Sequence, residues 1–375
     1  MKVETLLPLG KLDPGLREPD TPLDIRAFAT GAALAEELGF DAVLCEETKD
    51  DPYQLMALGA TSTGTVELGT SVAMAFPRAP AVTAMSAWSL QKLSAGRFCL
   101  GLGTQVRGHV TRRFGMAWHP PAPWMRDTVG AIRAVWDCWQ NGTRLDFRSE
   151  HFDLSLMVPL FDPGPIEHPD IPIFISAIGP NMCAVAGEVA DGVRLHPVCT
   201  ARFIDECVTP AVSRGAERAG RDVTEIERCM KPLVGTAATE QQLERVTRTV
   251  RERVAFYLST PAYSRVFELH DWGDKAAKAA TLSKAGRWDE LASVVDDLVV
   301  LDGVRRGIEQ LLGSEVERRV DPVRDRDVEL GVRERRVVLV LVGELVADLD
   351  RELGAVLELD PADALRIVEA EVGEI

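Results

Sequence analysis

Ile171-Pro-Ile-Phe-Ile-Ser176-Ala-Ile-Gly179-Pro-Asn181-Met182, running on to Ala186-Gly-Glu-Val-Ala-Asp-Gly192-Val-Arg-Leu195-His-Pro197, is the stretch that decides the fold of this 375-residue chain. Ile171 to Ser176 is an apolar, β-branched and aromatic run of the kind that fills a buried strand. Gly179-Pro180 turns the chain, and Asn181 to Val189 has the content of a helix. Gly192 to Leu195 is again a short buried strand. A strand, a helix and a strand in so short a span make a βαβ unit, whose two strands must be parallel.

The same rhythm extends toward both ends. Upstream, strands are expected at Val3–Leu7, Asp41–Cys45, Val66–Met74 and Phe98–Gly103. Helices should start at Thr21-Pro-Leu-Asp24 (a Thr cap, Pro at the first helical position and an acid three residues after the cap), near Asp51-Pro52, and over Pro80–Leu93. A further helix carries Ile132, Val135, Trp136 and Trp139, whose helical spacing marks them as core. Leu145 to Asp153 alternates like a short hairpin, and a Pro-rich loop (159–172) follows it. Downstream come a helix over Arg202–Ala219, a seventh strand near Cys229–Val234 and a helix over Glu240–Leu258. Seven βα units in a row predict an α/β fold, a (β/α)8 TIM barrel with insertions, over an open doubly wound sheet.

Composition narrows the function. The chain carries 58 acidic and 42 basic side chains, a formal charge of -16, which argues against nucleic acid or an anionic membrane as partner. A 46% hydrophobic and 27% charged composition is that of a globular protein. The longest uninterrupted apolar run, Val337 to Val342, is far short of the roughly 20 residues that span a bilayer. The amino terminus reads directly as a strand, so no signal peptide is expected. Seven scattered cysteines with no CxxC predict reduced thiols and a cytoplasmic location, and six scattered histidines give no metal centre. Arginine outnumbers lysine 34 to 8, the bias of a GC-rich bacterial gene.

Barrel ligands lie at the carboxyl ends of the strands, so the residues just after each strand are the candidates. Glu47, after the second strand, is a general acid/base or a substrate partner, or else a solvated carboxylate in an acidic loop. His196, after the sixth, is a catalytic imidazole or a structural residue before proline. Arg107 would meet an anionic group, although Arg112 and Arg113 make that loop arginine-rich in any case. The Gly179-Pro180 turn presents a helix amino terminus that suits phosphate without a lysine, or it is an ordinary βα turn. Gly101-Leu-Gly103 lacks a third glycine at dinucleotide spacing and reads equally as a strand end; a hydrolase or aldolase would need clustered metal ligands or more than the one lysine, Lys231, near the seventh strand.

Taken together, several segments resemble the luciferase-like monooxygenase family, in its branch that uses the deazaflavin coenzyme F420. They are Glu67-Leu-Gly-Thr70, Arg78-Ala-Pro80, Leu93-Ser-Ala-Gly-Arg-Phe98 with Gly101-Leu-Gly103, Gln105-Val-Arg107 and Gly164-Pro-Ile-Glu-His168. Gly179-Pro-Asn-Met182, Ala186–Gly192 with Leu195-His-Pro197, Ala255–Pro261 and Leu269-His-Asp-Trp-Gly273 continue the match in the family's order. The resemblance implies a barrel binding F420, or alternatively FMN with oxygen, at the strand carboxyl ends. It implies a ring packed on a bulge after the third strand, near Ala75 and Phe76, often with a non-prolyl cis peptide. Thr104 and Gln105 would line the ring or ribityl region; Ser176, Ala177, Ile178, Gly179 and Asn181 would take the phosphate. Glu47 or His196 would move the proton that accompanies a hydride. A small-molecule substrate and a homodimer are the implied partners.

The resemblance covers residues 1–300, and the remaining 75 depart from it. Residues 301–375 hold 14 Val, 11 Arg and 19 acidic residues, and no Phe, Trp, Tyr, Met, Cys, His, Lys, Asn or Thr. They carry -8 of the total charge. Two readings fit: a charged extension, or translation of a GC-rich gene in a shifted frame, which would leave the eighth βα unit replaced. The second makes a non-catalytic, ligand-binding relative the alternative of another class.

Overall fold

The computed structural model describes residues 2–7, 24–231, 233–234, 240–295 and 340–341. Strands β1 (Glu4–Leu7), β2 (Ala42–Cys45), β3 (Glu67–Thr70), β4 (Ala73–Met74) and β5 (Phe98–Gly103) alternate with helices α1 (Ala27–Glu37), α2 (Pro52–Ser62) and α3 (Pro80–Leu93). Helix α4 (Pro121–Asn141), the hairpin β6 (Phe147–Arg148) and β7 (Asp153–Leu154), β8 (Ile173–Ala177), α5 (Pro180–Val189) and β9 (Gly192–Leu195) follow. After α6 (Ala201–Phe203) come α7 (Thr209–Arg218), β10 (Glu227–Cys229), β11 (Leu233–Val234) and α8 (Glu240–Leu258). The last described elements are α9 (Ser264–Leu269), α10 (Gly273–Lys284), α11 (Trp288–Leu291) and β12 (Val340–Leu341).

One sheet runs β1-β2-β3-β5-β8-β9-β10, with β4 paired to β5, and every one of these pairings is parallel. Parallel strands in chain order with helical crossovers are the topology of a (β/α)8 barrel, as the alternation predicts. The expected eighth unit and the 301–375 segment lie outside the described residues, apart from Val340–Leu341, which pairs with Leu233–Val234. Contacts divide the chain into two units. The first is Met1–Leu7, Asp24–His196 and Asp205–Met230; the second is Pro8–Leu23, Pro197–Ile204 and Lys231–Ile375.

Several boundaries differ from expectation for identifiable reasons. Thr21 to Leu23 lie outside the described residues, and α1 begins at Ala27 with the Asp24 carboxylate accepting the Arg26 N–H at 3.0 Å. The expected helix over Arg202–Ala219 is broken by a wider, π-type turn at Ile204–Val208, directly ahead of Pro210, which cannot donate into a regular helix. The third strand divides into β3 and β4, as described below.

In the first unit, fully buried Leu44, Leu68, Leu100, Leu102, Phe98 and Phe174 from the strands meet Phe28, Trp88, Met125 and Ile132 from the helices. Trp136 and Trp139 are buried, as their spacing predicts. Helices α5 and α7 touch backbone to backbone: a Cβ on Gly215 would lie 1.8 Å from the Ala184 carbonyl oxygen. Between the strands sits a charged pair, Arg194 to Glu4 at 2.7 Å, with 6% and 0% of the side chains exposed. Arg194 also approaches Cys99 Sγ at 3.8 Å and the Phe174 ring at 4.9 Å. Burial pushes the Cys99 thiol up to about 12, partly opposed by the Arg194 charge.

The described residues of the second unit are mainly helical, with the β11–β12 pair beside them. Thr200 caps α6 and its hydroxyl lies 2.7 Å from His270 Nε2, and Arg202 donates to the Leu269 carbonyl at 2.8 Å. The Leu269–Gly273 motif is the joint between α9 and α10, with Asp271 in the left-handed region (φ 61°) and His270 stacked on Trp272.

Candidate functional site

The centre of the site is a carboxylate bound on one side only. Glu47 Oε2 accepts the Met74 N–H at 2.7 Å and the Arg78 guanidinium at 2.6 Å. Arg78 reaches on to Asp51 at 3.3 Å and lies over the Tyr53 ring at 5.2 Å. Burial pulls the Arg78 proton affinity down, but the Glu47 hydrogen bond and charge outweigh it and leave the guanidinium firmly protonated. Burial likewise drives the Tyr53 phenol above its ordinary range, so this hydroxyl stays neutral. Glu47 Oε1 takes no hydrogen bond among the described residues and is not among the buried polar atoms. Oε1 is therefore the carboxylate atom left accessible.

What brings Glu47 to Met74 is an extra residue in the third strand. β3 pairs Gly69 with Cys99, and pairing resumes with Ala73 opposite Leu102, so four steps on one strand face three on the other. That is a β-bulge. Inside it the Ser71–Val72 peptide is cis. Ser71 N–H donates to the Cys45 carbonyl at 2.7 Å and Glu47 N–H to the Val72 carbonyl at 3.3 Å, tying the bulge to the end of β2. The expectation of a bulge at Ala75 and Phe76 is thus corrected. The ladder slips where Thr70 leaves it and bonds Gly101 through its side chain instead, at 2.6 and 2.9 Å. Ala75 and Phe76 lie just beyond, both buried; Ala75 N–H donates to the Gly103 carbonyl and Phe76 stacks on Trp124 at 3.8 Å.

The two glycines of Gly101-Leu-Gly103 serve this bulge. A Cβ on Gly101 would stand 1.9 Å from the Thr70 carbonyl oxygen, and one on Gly103 2.5 Å from Val72 Cγ2. Beyond Val72, the nearest atom to that Gly103 position is Ser176 Cβ at 3.9 Å, so the ends of β5 and β8 and the bulge converge. Thr104 and Gln105 continue from β5 half-buried; Gln105 takes a left-handed φ of 60°, with its amide 3.9 Å from Met74 Sδ. Arg107 is exposed in this loop, and its carbonyl accepts from the Thr111 hydroxyl.

At the end of β8, Ser176, Ile178 and Gly179 are half-buried and Ala177 is buried. Gly179 is the N-cap of α5 and has no side chain to occupy the helix terminus. Among the described residues, its chain neighbours aside, no atom lies within 4 Å of where its Cβ would be. The N–H groups of Asn181 and Met182 thus meet no side-chain cap, and a helix amino terminus of this kind suits a phosphate held by dipole and backbone. Asn181 is exposed, and a groove beside it is lined by Arg126, Arg214 and Arg218. His196 follows β9 half-buried, with β3, β5 and β8 between its strand and that of Glu47.

Glu47, Ala75, Phe76, Thr104 and Gln105 therefore gather around the bulge, while Ser176 to Asn181 form the helix-terminus cradle next to it. Sequence reasoning missed Val72 and the partnership of Arg78 with Glu47. The adjacency of Glu67-Leu-Gly-Thr70 and a second short apolar run was the signal for the bulge; nothing local marks a guanidinium's partner. Among the described residues no group of three His, Cys, Asp or Glu side chains is arranged for a metal ion, and no helix is long and apolar enough to cross a membrane.

Comparison with known proteins adds four findings. A family model described as luciferase-like monooxygenase matches residues 6–304. An uncharacterized protein of Mycobacterium tuberculosis is 41% identical over 276 residues, 74% of this chain and 81% of the relative. Another M. tuberculosis protein, assigned as a coenzyme F420-dependent oxidoreductase, is 29% identical over 293 residues, 72% of this chain and 81% of the relative. Among solved structures, the coenzyme F420-dependent tetrahydromethanopterin reductase of Methanopyrus kandleri shares the fold, with TM-score 0.64 at 19% identity over 90% of this chain and 91% of that one.

Proposed function

The chain belongs to the luciferase-like monooxygenase family, and from that premise we propose that it is an oxidoreductase moving a hydride between coenzyme F420 and a small organic substrate. The observation that carries this reading is the pairing of an uncapped α5 terminus, with open space before Gly179, and a Glu47 carboxylate with one oxygen free, both at strand carboxyl ends. The F420-dependent relative supports this coenzyme over FMN, which has the same needs for phosphate and ring.

When bound, the coenzyme supplies the hydride-carrying ring carbon. The protein's part is to bind, orient and handle the proton. The N–H groups of Asn181 and Met182, with Ser176 to Gly179 around them, hold the phosphate, and Arg107 meets further anionic groups. Ala75, Phe76, Thr104 and Gln105 form the wall for the ring. Glu47 is held at one oxygen by Met74 and Arg78, so Oε1 is kept in one orientation to accept or return the substrate's proton, with His196 the other group for that step. Free, mostly buried cysteines suit a cytoplasmic enzyme, and a small molecule and a second copy of the chain are its partners in this reading.

Purified protein mixed separately with F420 and with FMN tests it. Tight binding and hydride exchange with F420 in the absence of oxygen are expected. Turnover with FMN that requires oxygen, and none with F420, would overturn the coenzyme assignment in favour of a monooxygenase.

A further inference from the structure

Beyond the residues already placed, α4 carries a carboxylate, Asp127, one turn from Trp124 and one from Gly130. Gly130 is the seat of the β6–β7 hairpin: a Cβ there would lie 2.9 Å from the Phe147 ring. The hairpin turn is tied by Ser149, whose hydroxyl accepts the N–H groups of His151 and Phe152 at 3.3 and 3.1 Å. This turn delivers His151 to Asp127. Nδ1 lies 2.6 Å from Asp127 Oδ2, and only 3% of the histidine side chain is exposed.

Packing alone does not account for a histidine here. Its Nε2 is buried without a hydrogen-bond partner among the described residues, which is costly, whereas an aliphatic side chain would fill the space without that cost. The hydrogen bond to Asp127 instead sets the plane of the ring. His151 lies within 14° of parallel to Trp124 at 6.1 Å, and Trp124 within 6° of parallel to Phe76 at 3.8 Å. Three rings thus share one orientation, from the hairpin to the strand end. Phe76 stands in the segment Met74–Arg78, whose N–H and guanidinium hold Glu47. The other titratable neighbour, His119, is exposed and meets both His151 and Trp124 edge-on.

We propose that Asp127 and His151 are positioning residues for the proposed coenzyme site, acting through Trp124 and Phe76 on the Met74–Arg78 segment; this rests on the reading that Phe76 forms part of the ring wall. Asp127 orients the imidazole, the imidazole face supports Trp124, and Trp124 holds Phe76.

The test uses the full chain with His151→Ala, Asp127→Ala, the double variant, His151→Phe and Phe76→Ala. Each is read by near-ultraviolet circular dichroism of the protein alone and by the Kd for F420. His151→Ala and Asp127→Ala are each expected to change the aromatic spectrum and weaken coenzyme binding about tenfold, the double variant no further. His151→Phe keeps a ring face and should restore binding to within roughly threefold. Should the alanine variants not fold, His151→Asn keeps a donor toward Asp127 without the ring face and should show the same loss. Wild-type spectra and binding in both alanine variants, with Phe76→Ala binding weakly, would overturn the relay alone. Unaltered binding in Phe76→Ala would overturn the ring-wall reading itself, and the proposal with it.

Discussion

Glu4–Arg194 and Glu47–Arg78 are made of the same two side chains at nearly the same separation, 2.7 and 2.6 Å, yet they do different work. The first pair is enclosed by strands on every side, with Cys99, Phe174 and Cys229 around the guanidinium. Burial drags the Arg194 proton affinity down, and the Glu4 charge more than restores it. A pair so buried is closed to a ligand from solvent and acts on stability and strand register. The second pair stands at a strand end with 10% and 18% of the side chains exposed, and leaves Oε1 open. Enclosure, more than composition, separates a sealed pair from one that a ligand could reach.

Breaking the enclosed pair should produce the largest effect. Arg194→Met leaves Glu4 charged in the interior and is expected to cost about 3–5 kcal/mol, measured by urea unfolding. Adding Glu4→Gln should recover part of that loss; no recovery would mean the pair is not the unit described.

For the open pair the balance should invert. Glu47→Gln keeps the shape and is expected to lower turnover with F420 about 100-fold while changing unfolding by only about 1 kcal/mol. Steady-state rates beside unfolding curves separate the two, and a stability loss as large as that of Arg194→Met would erase the distinction.

The helix terminus offers a smaller change. Gly179→Asp enters open space at an ordinary φ of −76°, so the fold should accept it and α5 gain about 1 kcal/mol from the new cap. The same carboxylate stands where the phosphate belongs, and F420 affinity should fall at least about tenfold. A higher Tm with unchanged affinity would remove the phosphate from this site.

Glu36 supplies the smallest effect and a third kind of carboxylate, held by the N–H groups of Gly64, Thr65 and Val66 and by the Thr65 hydroxyl. Burial is the largest single influence and raises its proton affinity, but the N–H groups of Val66, Thr65 and Gly64 and the Thr65 hydroxyl together outweigh it and lower the pKa from 4.5 to about 2. Since the folded value lies below the unfolded one, the stabilisation is present above about pH 4.5 and is lost as pH falls toward 2. Glu36→Gln should therefore cost about 1 kcal/mol at neutral pH, after allowing for solvent screening, and almost nothing near pH 2. Unfolding across that range checks the convergence.

Alternating apolar runs and their Gly and Pro punctuation determined the strand order, the parallel sheet and the ends of helices such as Pro80–Leu93 and Glu240–Leu258, because those signals act between near neighbours. They also marked Glu47 and the Gly179 turn as candidates, since barrel ligands lie after the strands. Tertiary structure decided the rest. The bulge at Ser71–Val72 depends on the register between β3 and β5, which local sequence does not carry. Arg78 finds Glu47 across 31 residues, and His151 finds Asp127 through a hairpin folded onto a helix. In each case the deciding contact joins groups far apart in the chain, so its geometry exists only once the sheet and helices have closed around it.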